Sequence, residues 1–138
     1  MAEGEIETLM QQGKWQEALG LCAQELRQRP GSAKLNGLLG MCYFRQKKYA
    51  ESLEPFRRAV TLDPGFWEIG IRYAQALEFE GQREEAYTVA CEWNRVRPGH
   101  PTLEGLIEHL EYRIKGNRSE IWEKTRGLNR EVLLSDTA

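Results

Sequence analysis

His109 lies among Glu104, Glu108 and Glu111 at helical spacing, and these are residue types from which a metal site is built. No second ligand cluster in the sequence answers them, so the group reads as a solvated acidic face. The other histidine, His100, belongs to a Pro-Gly-His turn. Cys22, Cys42 and Cys91 are odd in number and spaced like neither metal ligands nor a redox pair. Each falls in an apolar helical stripe, where a free thiol acts as a small hydrophobe. No glycine-rich phosphate loop, nucleophile elbow or paired catalytic signature is present. Lys47-Lys48 and Arg57-Arg58 are short basic pairs in a chain of net charge −2, and read as solvent-facing charge rather than a nucleic-acid track. These residues predict a protein with no catalytic centre, no metal and no cofactor.

The elements that carry them belong to one modest domain. The chain has 138 residues, 41% hydrophobic and 29% charged, enough for a single core. No apolar run approaches the roughly 18 residues of a membrane span. The opening stretch MAEGEIETLMQQGK is acidic where an export signal would be basic and then apolar. Together with the unpaired cysteines, it predicts a cytoplasmic protein.

Pro30, Pro64 and Pro98 stand 34 residues apart, each followed by glycine. The segments between them repeat as well. Gly13-Lys14-Trp15-Gln16-Glu17-Ala18-Leu19 aligns with Lys47-Lys48-Tyr49-Ala50-Glu51-Ser52-Leu53, and both align with Gly81-Gln82-Arg83-Glu84-Glu85-Ala86-Tyr87. A period of this length is the signature of a helical array, in which each unit buries its apolar face on its neighbours. Proline cannot continue a helix, and the glycine after it tolerates positive φ, so each Pro-Gly pair is expected to end a unit.

The middle unit carries Leu39-Gly40, Tyr43, Tyr49, Ser52, Phe56, Ala59 and Pro64. This pattern resembles the tetratricopeptide repeat, with Asn36 in place of the first aromatic residue. The third unit keeps Ala74, Gly81, Ala86 and Pro98; the first keeps Gly13, Trp15, Ala18 and Pro30, its opening helix cut short. The resemblance implies an all-α fold, a right-handed superhelical stack of seven or eight helices in antiparallel pairs. Its units would run over 1–32, 33–66 and 67–100, followed by a helical cap over 101–134 and a tail over 135–138. Small residues, Gly40 with Ser52 and Ala74 with Ala86, would let paired helices approach. In the third unit Ala90 stands where the second has Phe56, and Trp93 where it has Ala59, which predicts a repacked layer. Pro55 is expected to bend its helix and to face outward. A last helix capped by Ser119, with Ile121, Thr125, Leu128 and Val132 as its stripe, would cover the end of the stack.

In tetratricopeptide proteins the concave face, lined by the first helix of each pair, holds a partner peptide or helix. Carried onto this sequence, that face gives Met41, Phe44, Arg45, Ile71, Arg72, Gln75, Phe79, His109 and Tyr112 as the peptide-binding groove. The expected function is an adaptor or chaperone-like module for a protein partner, monomeric or weakly self-associating, with no nucleic-acid partner and no membrane insertion. A self-assembling scaffold that uses its terminal helix or groove is the alternative. Gly37 and Gly105 fit either close approach of a ligand backbone or tight helix packing. One use of the family is clamping the C-terminal carboxylates of heat-shock chaperones through Lys and Asn on successive first helices. Here the corresponding positions are Glu3, Glu7, Leu38 and Glu68, and only Arg72 matches. Acidic side chains repel carboxylates, so such tails are not expected to bind.

Overall fold

The periodic stretches become helices of nearly constant length. In the computed structural model, which describes residues 2–115, they are α1 (Ala2–Gln11), α2 (Trp15–Gln28), α3 (Ala33–Arg45), α4 (Tyr49–Leu62), α5 (Trp67–Phe79) and α6 (Arg83–Val96). A seventh, α7, is helical over 101–115. No strand occurs among the described residues. The proposed terminal helix beyond Ser119 and the tail lie outside them.

The turn inside each hairpin is built the same way three times. The amide of Lys14 donates to the Leu9 carbonyl, Lys48 to Tyr43 and Gln82 to Leu77, each at 2.9 Å. The preceding residue sits in the left-handed region: Gly13 at φ 75°, Lys47 at φ 63° and Gly81 at φ 79°. This is the helix-ending geometry that favours glycine because no Cβ opposes it. Lysine occupies it in the middle hairpin alone. The Pro-Gly pairs behave differently from the sequence expectation, since only Gly99 of the three glycines has positive φ. The other two turns close by side chains instead. Ser32 accepts the Leu35 amide and caps α3, and Asp63 accepts the Gly65 amide. His100 plays the capping part for α7, its Nδ1 accepting the Thr102 amide at 3.2 Å.

Three buried clusters run along the stack. Ile6, Met10, Ala18, Cys22, Leu35, Leu38 and Cys42 join α1 to α3. Phe56, Ala59, Ile69, Tyr73, Leu77 and Leu110 fill the middle, and Ile71, Ala74, Ala90, Trp93 and Leu103 the far side. The exchange of Phe56 and Trp93 is a repacked layer. A Cβ on Gly40 would strike the Phe56 ring, and a Cβ on Gly70 would strike the Trp93 indole. Relative to the 34-residue period, the aromatic ring moves one turn toward the C-terminus of the second helix. Its glycine moves one turn toward the N-terminus of the first, as an antiparallel pair requires. Ser52 and Ala86 are buried as expected, but the glycines are filled by rings rather than by these small side chains.

Asn36, in the place of the family's aromatic residue, is buried and ties down the preceding turn. Its Nδ2 donates to the carbonyls of Ser32 at 2.9 Å and Pro30 at 3.4 Å. Pro55 corrects the sequence reading. It is buried, because Ser52, Pro55, Phe56 and Ala59 form one stripe at helical spacing on α4. The helix runs through it unbroken from Tyr49 to Leu62.

Candidate functional site

The face made by α3, α5 and the start of α7 carries two distinct features. Toward the N-terminal ends of α3 and α5 lies a cavity of about 350 Å³. Gly37, Leu38, Met41 and Ile71 contribute its apolar lining, with Lys34, Glu68, Arg72 and Thr102 among its polar residues. Toward the C-terminal ends lies an aromatic group. The Tyr49 and Phe79 rings stack with centroids 4.5 Å apart, and Phe44 meets Tyr49 at 5.3 Å and Phe79 at 6.2 Å. The Arg72 guanidinium, 5.8 Å from the centre of the Phe44 ring, connects the two features.

The nine residues expected to form the groove are thereby divided. Met41, Ile71 and Arg72 line the cavity. Phe44 and Phe79 belong to the aromatic group, with Arg45 exposed on the last turn of α3. Gln75 accepts a hydrogen bond from Arg72 at 2.9 Å and steadies it. His109 Nε2 lies 3.2 Å from Glu78 Oε1, a contact between α7 and α5. Tyr112 is 78% exposed on α7. Two of the expectations need correction. Ile71 is only 4% exposed and belongs to the cluster of Trp93 and Leu103. Phe44 packs against the buried Phe56 at 6.0 Å. Both side chains therefore serve layer packing, because superhelical stacking brings the next first helix over them. Phe79 remains 55% exposed.

Tyr49 was missed by the sequence reading, and its signal was available: it opens α4 immediately after the repeated turn. Leu38, Phe66 and Trp67 at the cavity were missed as well. Trp67 lies beside two basic side chains, with Arg97 4.4 Å from its ring centre and His100 at 5.4 Å. Gly37 is explained by packing, since a Cβ there would lie 3.1 Å from Ile69 Cγ1. At Gly105 no described residue lies within 4 Å of a Cβ.

Two acids of α1 are already engaged. Glu7 meets Lys34 at 2.9 Å, and Glu3 meets Arg29 at 3.1 Å. Leu38 is buried and Glu68 lies at the cavity rim. Among the described residues, no group of three or more His, Cys, Asp or Glu is placed to hold a metal ion, and the acidic cluster around His109 does not converge. Tertiary structure does bring Cys22 and Cys42 together, which their spacing did not reveal. Contact with Cys42 and burial push the Cys22 thiol up, away from the reactive range. Across the α6–α7 contact, the Tyr87 hydroxyl donates to Glu111 at 2.8 Å. That bond, with Cys91 and burial behind it, pushes Tyr87 up to about 12. No helix among the described residues is long and apolar enough to cross a membrane.

Paired helices of constant length, repeated turns and a lined inner face define a helical-repeat solenoid. The family model described as tetratricopeptide repeat matches residues 4–65. Over those residues the chain resembles tetratricopeptide repeats. Among solved structures, it is similar to the first such domain of Spaghetti (RPAP3) bound to an HSP90 peptide. The two are 19% identical with a TM-score of 0.78, covering 83% of this chain and 90% of the other. The second domain of human RPAP3, in complex with an HSP70 peptide, is 19% identical with a TM-score of 0.75 over 80% and 92%. The Sgt2 domain from Aspergillus fumigatus is 17% identical, with a TM-score of 0.77 over 85% and 80%. At these identities the likeness concerns the fold. No curated protein is a significant sequence match.

Proposed function

We propose that this protein is a non-catalytic interaction module that receives a peptide or helix of a protein partner against its first helices. The observation that carries this reading is the cavity between α3, α5 and α7, where Gly37, Leu38 and Met41 present an apolar floor beside Lys34, Glu68 and Arg72. An apolar anchor would lose water there while the polar rim fixed its orientation. The structures similar to this one that hold heat-shock peptides support the use of the fold for peptides. They do not carry over the ligand. Two of the acids at the corresponding positions, Glu3 and Glu7, are tied to Arg29 and Lys34, and the third, Glu68, lies at the cavity rim, so a terminal carboxylate would meet Arg72 beside an acid rather than a set of cations.

The test is site-specific photo-crosslinking in the source cell. A crosslinker at Met41 should capture a partner that one at Thr61, on the opposite helix layer, does not. Met41→Glu in a chain with a crosslinker at Lys34 should abolish capture while the far-ultraviolet circular dichroism is unchanged. Equal capture from both layers, or capture that survives Met41→Glu, would refute the groove. Capture of a second copy of this chain, with light scattering showing a dimer, would favour the self-assembling scaffold.

A further inference from the structure

We infer that the C-terminal ends of α3 and α5 form a second contact point of the groove, built for an internal acidic segment of a partner that carries an aromatic or aliphatic side chain. The inference rests on the peptide-binding reading above and adds the chemistry of the ligand.

Three observations converge. First, Phe79 leaves one ring face to solvent while the other stacks on Tyr49, so an apolar side chain can complete the stack without rearrangement. Second, Arg45, Lys47 and Lys48 lie in the chain between Phe44 and Tyr49, Arg72 lies over the Phe44 ring, and none of the four enters an ion pair among the described residues. By contrast, Arg29, Lys34, Arg57 and Arg58 are all paired. The acids nearest in sequence are Glu51, two residues after Tyr49, and Glu78 and Glu80, on either side of Phe79, so the four cations outnumber three carboxylates. Third, the middle hairpin holds a charged side chain in the left-handed turn position. The first and third hairpins place glycine at the left-handed position, whereas the middle one places Lys47 there at φ 63°. A side chain that resists its own backbone geometry, in a turn where glycine would fit twice over, points to a role for the ammonium group. Four cations on a chain of net charge −2 suit a short acidic peptide better than a phosphate backbone.

The probe is a short acetylated and amidated peptide with Asp and Glu around a central Phe-Leu pair, titrated into the isotopically labelled full chain. Amide shifts should move at Arg45, Lys47, Tyr49 and Phe79. The matched Asn and Gln peptide should bind about threefold or more weakly. A free C-terminal carboxylate should add nothing. Lys47→Gly separates binding from folding: its melting temperature should stay or rise as the turn relaxes, while the acidic peptide binds about threefold or more weakly. Phe79→Ser should also weaken binding.

Equal binding of the neutral peptide, or wild-type binding by Lys47→Gly, would overturn the inference. So would stronger perturbation of the same amides by single-stranded oligouridine. Shifts confined to Gly37, Met41 and Ile71 would overturn it while leaving the peptide-binding groove intact. No shift at either end of the groove would remove both.

Discussion

The second and third hairpins make the same contact with the same logic, one helical turn apart. In the second, Phe56 of α4 lies on Gly40 of α3; in the third, Trp93 of α6 lies on Gly70 of α5. At the repeat position of Asn36 the third hairpin has Gly70, and the Trp93 indole from the opposite helix fills that space. The second keeps its ring in place, and Asn36 secures the turn with hydrogen bonds. The difference teaches that a repeat keeps a filled volume and a close helix approach, and that the ring may move one turn along the second helix when its glycine moves with it.

The largest expected effect comes from removing the rings. Phe56→Ala and Trp93→Ala should each destabilise by about 3–5 kcal/mol in chemical denaturation. If either costs under about 1 kcal/mol, that hairpin is not held by its ring. A smaller loss should follow from filling the glycines. In an open helix Gly→Ala stabilises by about 1 kcal/mol. Gly40→Ala and Gly70→Ala should instead cost about 1–3 kcal/mol, because the Cβ meets a buried ring. Adding Trp93→Phe to Gly70→Ala should recover part of that loss, since a smaller ring leaves room. Gly105→Ala sharpens the contrast, as nothing among the described residues lies within 4 Å of its Cβ. It should stabilise by up to about 1 kcal/mol, and destabilisation there would mean that α7 is packed more tightly than the hairpins.

The smallest effect concerns the contact that seats α7 on the third hairpin. Tyr87 is raised from its ordinary value of 10 to about 12 by its bond to Glu111. A raised folded value stabilises below pH 10 and loses that contribution as pH climbs through about 12. Ultraviolet titration of the wild type should show one tyrosine ionising near pH 12, and Tyr87→Phe should remove that step. If the step persists in the variant, the bond to Glu111 does not hold in solution.

Much of this was written in local pattern. The three prolines marked the hairpin boundaries, and the alignment of Gly13, Lys47 and Gly81 marked the turns within them, because turn geometry depends on a few adjacent residues. The exchange at Phe56 and Trp93 was also visible as a conserved total volume. Other features depended on contacts between distant residues. Pro55 belonged to the inward stripe, Ile71 and Phe44 were claimed by packing, and Cys22 met Cys42 across α2 and α3. Sequence spacing reports which residues share a helix face, but not which neighbour covers it.

By itself, the sequence determined the helices, their period and the hairpin turns, since backbone hydrogen bonds, proline and the left-handed turn position act within a few residues. Only the tertiary structure decided which glycine receives which ring. It also divided the expected groove into a cavity near Met41 and an aromatic edge at Tyr49 and Phe79. These outcomes follow from the angle and register of stacked hairpins, which arise from all the side chains between them at once.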